Sequence, residues 1–408
     1  MKRSLLIVFL IFMYFYCHSQ QVEDMRWTIY NTGNSGINSD NITRIGITPN
    51  GTKWIGTYTG MNRFNNTWTI LDHESHNIQY FNIASLAVEN DSSLWIGTFV
   101  EGMIRLKGEQ WEIYNSQNSP LLTGIIRAIA IDNNGNKWVG SSESGLYEFN
   151  GETWIHYEDQ NSGLPDNSIH SLFVTADNSV WVGTEDGLAR YHNRAWAPAH
   201  TVGLYGQTVN AITANHHGDM FFGTHNGLAR LRNGNWEIFT EQNSPLPDNE
   251  IYALATDTSG HLWIGTSSGI TRFDGRNWYT WNDDNSPLPE NSVNAIAIDK
   301  DNHKWIGTDG GGLVRLSGDI ATSIPQYTNT SHNFIVKPNP AKDKITILFN
   351  EEMSHSDIEI IALLGKVLKK VSVSGTHVEI PVNDLSSGLY LIKIKTGHEV
   401  ITKKLIIK

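Results

Sequence analysis

Trp263-Ile264-Gly265-Thr266 is one of seven near-copies of a single four-residue unit in this chain. The others are Trp54-Ile55-Gly56-Thr57, Trp95-Ile96-Gly97-Thr98, Trp138-Val139-Gly140-Ser141, Trp181-Val182-Gly183-Thr184, Phe221-Phe222-Gly223-Thr224 and Trp305-Ile306-Gly307-Thr308. From glycine to glycine the intervals are 41, 43, 43, 40, 42 and 42 residues. That is the period of a four-stranded propeller blade.

The sequence around the sixth copy reads as four short strands. Ile251–Ala255, His261–Ile264, Ile270–Phe273 and Asn277–Thr280 are separated by turns holding Ser259-Gly260, Ser268-Gly269 and Asp274-Gly275. Glycine accepts the positive φ that tight hairpin turns require, so each repeat is an antiparallel meander. The first strand, as in Val293–Ile298 or Ile126–Ile131, reads as apolar on both faces, the mark of an inner strand packed between neighbours. In the second strand Trp and Ile alternate and so address different adjacent blades, while the glycine after them permits close backbone approach.

A second tryptophan marks the fourth strand: Trp27, Trp68, Trp111, Trp154, Trp196, Trp236 and Trp278. Trp27 precedes the first repeat unit, and Leu313–Leu316 after the last unit has no such partner. An open ring would expose two sheet edges. Trp27–Tyr30 is therefore expected to supply the outer strand of the seventh blade. The predicted fold is all-β: a seven-bladed β-propeller closed by the N-terminal strand, over residues 20–320, followed by a small C-terminal β-sandwich.

The 408 residues carry 14 Trp and 36 Gly, most of the Trp at fixed places in the repeat. The formal charge is −12; residues 333–408 hold 11 Lys against 8 acidic residues, a net of +3, which leaves −15 on residues 1–332. No basic stripe interrupts so acidic a body, which argues against nucleic acid as a partner. Lys2 and Arg3, the apolar run Leu5–Tyr16 and Cys17-His18-Ser19 read as a secretory signal cleaved after Ser19, with lipid attachment at Cys17 the alternative. Some twelve apolar residues are too few for a retained membrane span, and no other stretch is long enough.

Trp-Ile-Gly-Thr followed by Gly-Leu-x-Arg, as in Gly227-Leu228-Ala229-Arg230-Leu231, resembles the two-component regulator propeller repeat. In its best-known setting that family forms extracytoplasmic sensors of membrane histidine kinases, often responding to glycans. The resemblance implies the fold and the binding of a ligand or partner. Beyond a polar linker at 321–332, residues 333–408 turn to Lys-rich strands with Val336-Lys337-Pro338-Asn339-Pro340, Leu364-Gly365-Lys366-Val367, Leu385-Ser386-Ser387-Gly388-Leu389-Tyr390 and a terminal Lys403-Lys404-Leu405-Ile406-Ile407-Lys408. This resembles the C-terminal sorting domain of type IX secretion, which implies export across the outer membrane, the secretion machinery as a partner, and a secreted or surface-attached product.

Asp132–Asn136 and Asp299–Asn302 begin like calcium (Ca2+) loops, but a full loop needs a bidentate Glu at its twelfth position. Counted from Asp132 that position is Glu143, which strand Trp138-Val139-Gly140 pulls away. Both read as hairpin turns, and no cofactor is expected. Sixteen histidines include no metal-binding helix pattern, and His216-His217 sits in a turn. Scaffold residues recur, whereas the loops between second and third strands vary. They hold Tyr58, Phe99, Glu101, Glu143, Glu185, Asp186, His225 and Asp309, the candidate ligand-binding residues. Tyr58 and Phe99 offer flat apolar surfaces, and the carboxylates accept hydroxyl hydrogen bonds. Three functions fit: a module binding a polysaccharide, a peptide or a surface protein; a propeller-fold lyase or glycoside hydrolase using carboxylates of the loop face; or a purely structural surface module.

Overall fold

Leu262–Thr266, the strand of the repeat unit, pairs on one side with Ile251–Thr256 and on the other with Gly269–Phe273, which pairs in turn with Trp278–Trp281. Seven such four-stranded antiparallel sheets occur in the computed structural model, which describes residues 25–71, 81–197, 204, 206–318, 334–362, 367–386, 388–396 and 399–407. The expected signal segment 1–19, the linker 321–332 and most of the connection 200–205 lie outside the described residues. The chain divides into two compact units, residues 1–320 and 321–408. No helix among the described residues is long and apolar enough to cross a membrane.

Each residue of the repeat unit has its own task. Trp263 faces forward, into a core with Ile306, Val314 and Leu316 of the next blade. Ile264 faces back, into a core with Phe221 and Leu228 of the preceding one. Gly265 lies where any side chain would collide with the first residue of the next blade, since a Cβ there would come within 2.6 Å of Val293 Cγ1. Gly56, Gly140, Gly223 and Gly307 meet Ile83, Ile169, Ile251 and Ile42 in the same way. The fourth residue closes the following turn: Thr57, Thr98, Ser141, Thr184, Thr224, Thr266 and Thr308 each donate their hydroxyl to a carbonyl three or four residues on, at 2.8–3.0 Å. Ser141 keeps the same hydroxyl bond as the threonines, at 2.9 Å to Gly145 O.

The ring closes as the unpaired tryptophan predicts. Arg26–Tyr30 pairs antiparallel with Leu313–Ser317, placing Trp27 opposite Leu316. Tyr30 then enters the interface of blades seven and one, 5.7 Å from Phe64, 5.6 Å from Trp68 and 6.0 Å from Trp305. Lys53 of blade one reaches back across the same interface, 4.8 Å over the Trp305 ring and 3.4 Å from Asp299.

The second unit is a sheet folded over its own core. The start of strand Lys344–Ala362 pairs with Phe334–Lys337 and the end of Val367–Pro381; its later part pairs with the start of Val367–Pro381 and with Gly388–Thr396. Both halves send side chains into one core of Ile345, Ile347, Ile358, Ile360, Ile380, Ile392 and Leu405. Asn339 Oδ1 accepts from Ile406 N at 2.9 Å, and Ala341 bridges Ile407, so the Pro-Asn-Pro segment holds the last strand.

Candidate functional site

The first strand of every blade contains one more residue than its partner strand can pair. Pairing jumps from Ile42 to Arg44, Ile83 to Ser85, Ile126 to Ala128, Ile169 to Ser171, Val209 to Ala211, Ile251 to Ala253 and Val293 to Ala295. A bulge bends the strand and re-aims the side chain of its unpaired residue. The seven residues passed over are Thr43, Ala84, Arg127, His170, Asn210, Tyr252 and Asn294, and all seven line one cavity of about 260 Å3. One residue from each blade, seven in a ring, puts this cavity on the propeller axis. Arg44, Ile83, Tyr58 and Phe99 complete its lining.

The cavity opens on the face of the variable loops. Those loops are tied to the connections between blades: Phe99 N donates to Asn82 O at 3.1 Å, Glu185 N to Ser168 O at 3.0 Å, Gly145 N to Asn167 O at 2.9 Å and Asp309 N to Ser292 O at 3.0 Å. Tyr58, 44% exposed, and Phe99 come from neighbouring blades and stand with ring centroids 6.5 Å apart. Both line the cavity, whereas Glu101, Glu143, Glu185, Asp186, His225 and Asp309 do not. Glu185 touches a lining residue, its carboxylate 3.9 Å from His170 Nε2. Glu143, Asp186, His225 and Asp309 are exposed, and Glu101 is half-buried with its N–H bonded to Thr98 Oγ1 at 2.8 Å.

Electrostatically the cavity differs from the body around it. Two arginines line it and, among the described residues, no aspartate or glutamate does. Burial pulls the Arg44 guanidinium below its ordinary value; Tyr58 opposes this and the charge of Arg127 adds to it. Burial, followed by Arg127, likewise lowers His170, whose Nε2 has no hydrogen-bond partner among the described residues, so the ring is neutral at pH 7. Burial and a 2.7 Å hydrogen bond to Glu250 push Tyr252 up to about 12, which keeps its hydroxyl protonated. A glycosidase mechanism of the two-carboxylate kind has no pair of acids in this lining.

The ring of bulge residues is missed by reading the first strand as apolar on both faces. Its signal is nevertheless in the sequence: the second residue of each first strand is Thr, Ala, Arg, His, Asn, Tyr and Asn in turn, a position that varies inside an otherwise repeated apolar run.

The acidic turns of the opposite face are occupied by their own structure. Asp132 accepts from the backbone N–H groups of Asn134 and Asn136 and from Trp138 Nε1. Asp299, Asp301 and His303 bring ligand atoms within 4.8 Å of one another, but Asp299 already accepts from Trp305 Nε1 at 2.9 Å and from His303 N at 2.9 Å, with Lys53 beside it.

Residues 163–186 and 245–268 match the family model "two component regulator propeller", and residues 336–408 match "secretion system C-terminal sorting domain". The chain carries regulator-type propeller repeats and ends in a sorting domain. No curated protein matches it. Among solved structures it is similar to the extracellular domain of a hybrid two component system from B. thetaiotaomicron (18% identity, TM-score 0.62, 93% of this chain and 57% of that one). It is similar also to PorZ, an essential surface component of the type-IX secretion system of Porphyromonas gingivalis (16%, TM-score 0.58, 93% and 61%). A third similar structure is virginiamycin B lyase from Staphylococcus aureus (14%, TM-score 0.58, 72% and 100%). The chain thus spans about three-fifths of the length of the first two, and at these identities the likeness is one of fold.

Proposed function

We propose that this regulator-type propeller is exported through the type IX machinery and binds its ligand in the axial cavity. The sorting domain at 336–408 supports export to the cell surface or beyond it. The observation that carries the binding reading is the ring of bulges. Seven blades share Trp, Ile, Gly and Thr for packing, yet at the one position aimed at the axis they present six different residue types. A scaffold has no need for that asymmetry; a recognition site does.

Tyr58 and Phe99 supply a flat apolar platform, and Asn294, Tyr252 and Thr43 add polar groups to the same lining. This combination suits a polysaccharide or peptide segment presented end-on. The test is a glycan and peptide array probed with the full mature chain, followed by titration of each hit. Tyr58→Ala with Phe99→Ala is expected to weaken binding roughly tenfold or more at unchanged unfolding temperature. Glu101→Gln with Glu185→Gln should weaken it too if rim carboxylates take part. Equal affinity in these variants, with loss on changing the opposite-face turns at Asp132 or Asp257, would place the ligand elsewhere.

A further inference from the structure

Six of the seven blades hold a small residue immediately after the bulge: Ser85, Ala128, Ser171, Ala211, Ala253 and Ala295. Packing explains why. A Cβ on the neighbouring repeat glycine would lie 2.1 Å from Ser85 Oγ, 2.2 Å from Ser171 Oγ and 3.3 Å from Ala295 Cβ, and the two serines tie to the next blade through Ile126 O and Val209 O. Blade one alone places an arginine there, Arg44, whose Nη1 reaches back to the Thr43 carbonyl at 2.7 Å. Blade three alone places an arginine at the bulge itself, Arg127. Both line the axial cavity. Neither forms an ion pair with a described residue, and Arg127 Nε is buried without a hydrogen-bond partner among them.

Two cations lining one cavity whose described lining lacks carboxylates, inside a body of negative charge, lower the cost of taking an anion and raise that of taking a cation. We infer that the axial cavity recognises an acidic sugar residue, its carboxylate or sulfate held by Arg44 and Arg127. This rests on the binding role proposed above and names the chemistry of the ligand. The planar fork of arginine matches either anion in a bidentate fashion. The rest of the lining speaks for a sugar rather than an acidic peptide: Asn294 and Tyr252 suit hydroxyl groups, and the Tyr58–Phe99 pair offers a ring-sized apolar face above a cavity of about 260 Å3.

The experiment is calorimetric titration of the full mature chain with oligogalacturonate, its fully methyl-esterified form, a sulfated galactose oligosaccharide, a poly-glutamate peptide and inorganic phosphate. Binding of the oligogalacturonate or the sulfated sugar, with the ester at least roughly tenfold weaker, is expected. Arg44→Ala, which installs the residue four other blades carry, and Arg127→Gln should each remove that preference, and Arg127→Lys should restore part of it. Calorimetry separates the sources, since carboxylate and sulfate ligands are titrated singly. Equal binding of acid and ester, unaffected by the arginine variants but lost in Tyr58→Ala with Phe99→Ala, would overturn the anion assignment and leave the axial binding role standing. Binding of poly-glutamate or phosphate in preference to every acidic sugar would overturn the sugar, and no binding of any probe would overturn the inference altogether.

Discussion

At position 44 the repeat asks for alanine or serine, and arginine stands there instead. The residue is half-buried, lines the same cavity as Arg127 and has no counter-ion among the described residues, so the scaffold is not what it serves. Arg44→Ala should therefore leave the unliganded chain as stable or slightly more so, read as an unchanged or higher unfolding temperature; a fall of several degrees would make Arg44 a packing residue. Asp257 is the converse case. Burial alone would raise its carboxyl, but hydrogen bonds from His261 and from Trp263 Nε1, at 3.0 Å, hold it well below its ordinary value of 3.8. A carboxylate depressed in the folded state stabilises above its unfolded value, and that stability disappears as pH falls through the folded one. Asp257→Asn should lower the unfolding temperature near neutrality and flatten its decline between about pH 5 and pH 2. Parallel curves for the two proteins would show that the ionised form contributes nothing.

Among the elements, the second strand of each blade is read directly from sequence because alternation, glycine and hydroxyl each have one physical use there. Trp263→Ala empties a site 1% exposed between two blades and should cost roughly 3–5 kcal/mol in a denaturant titration. The N-terminal strand was legible for a different reason: a tryptophan without a repeat unit before it and a strand without a tryptophan at the other end. Deleting residues 20–31 removes the edge strand of blade seven and takes Tyr30 from between Phe64 and Trp305. Lower thermal stability and a shift to oligomers are expected by scattering, while a monomer of unchanged stability would refute closure by this strand. The inner strand was read less well. A bulge appears in sequence only as one extra residue in an apolar run, and period-two reading assigns that residue to a blade face when the bent backbone turns it to the axis. Hence loop variation alone points to Tyr58 and Phe99, whereas Arg44, Arg127 and His170 stand out only once the extra residue of each first strand is recognised.

For the whole molecule, the chain divides into two compact units, and residues 336–408 match a sorting domain. Removing residues 333–408 should leave a folded propeller retained inside the outer membrane of the producing cell, seen by fractionation; normal secretion of the truncated chain would sink the sorting role, and its unfolding would move the domain boundary. The seven bulged strand residues are proposed to form one recognition site on the axis. Its most direct measurement is the affinity of the strongest array hit for the full mature chain and for the double variant His170→Ala with Asn294→Ala, which alters two bulge positions and leaves every packing residue and rim loop in place. Such a site predicts a loss of about tenfold or more in affinity with an unchanged unfolding temperature. Equal affinity in the double variant, at equal stability, would contradict it.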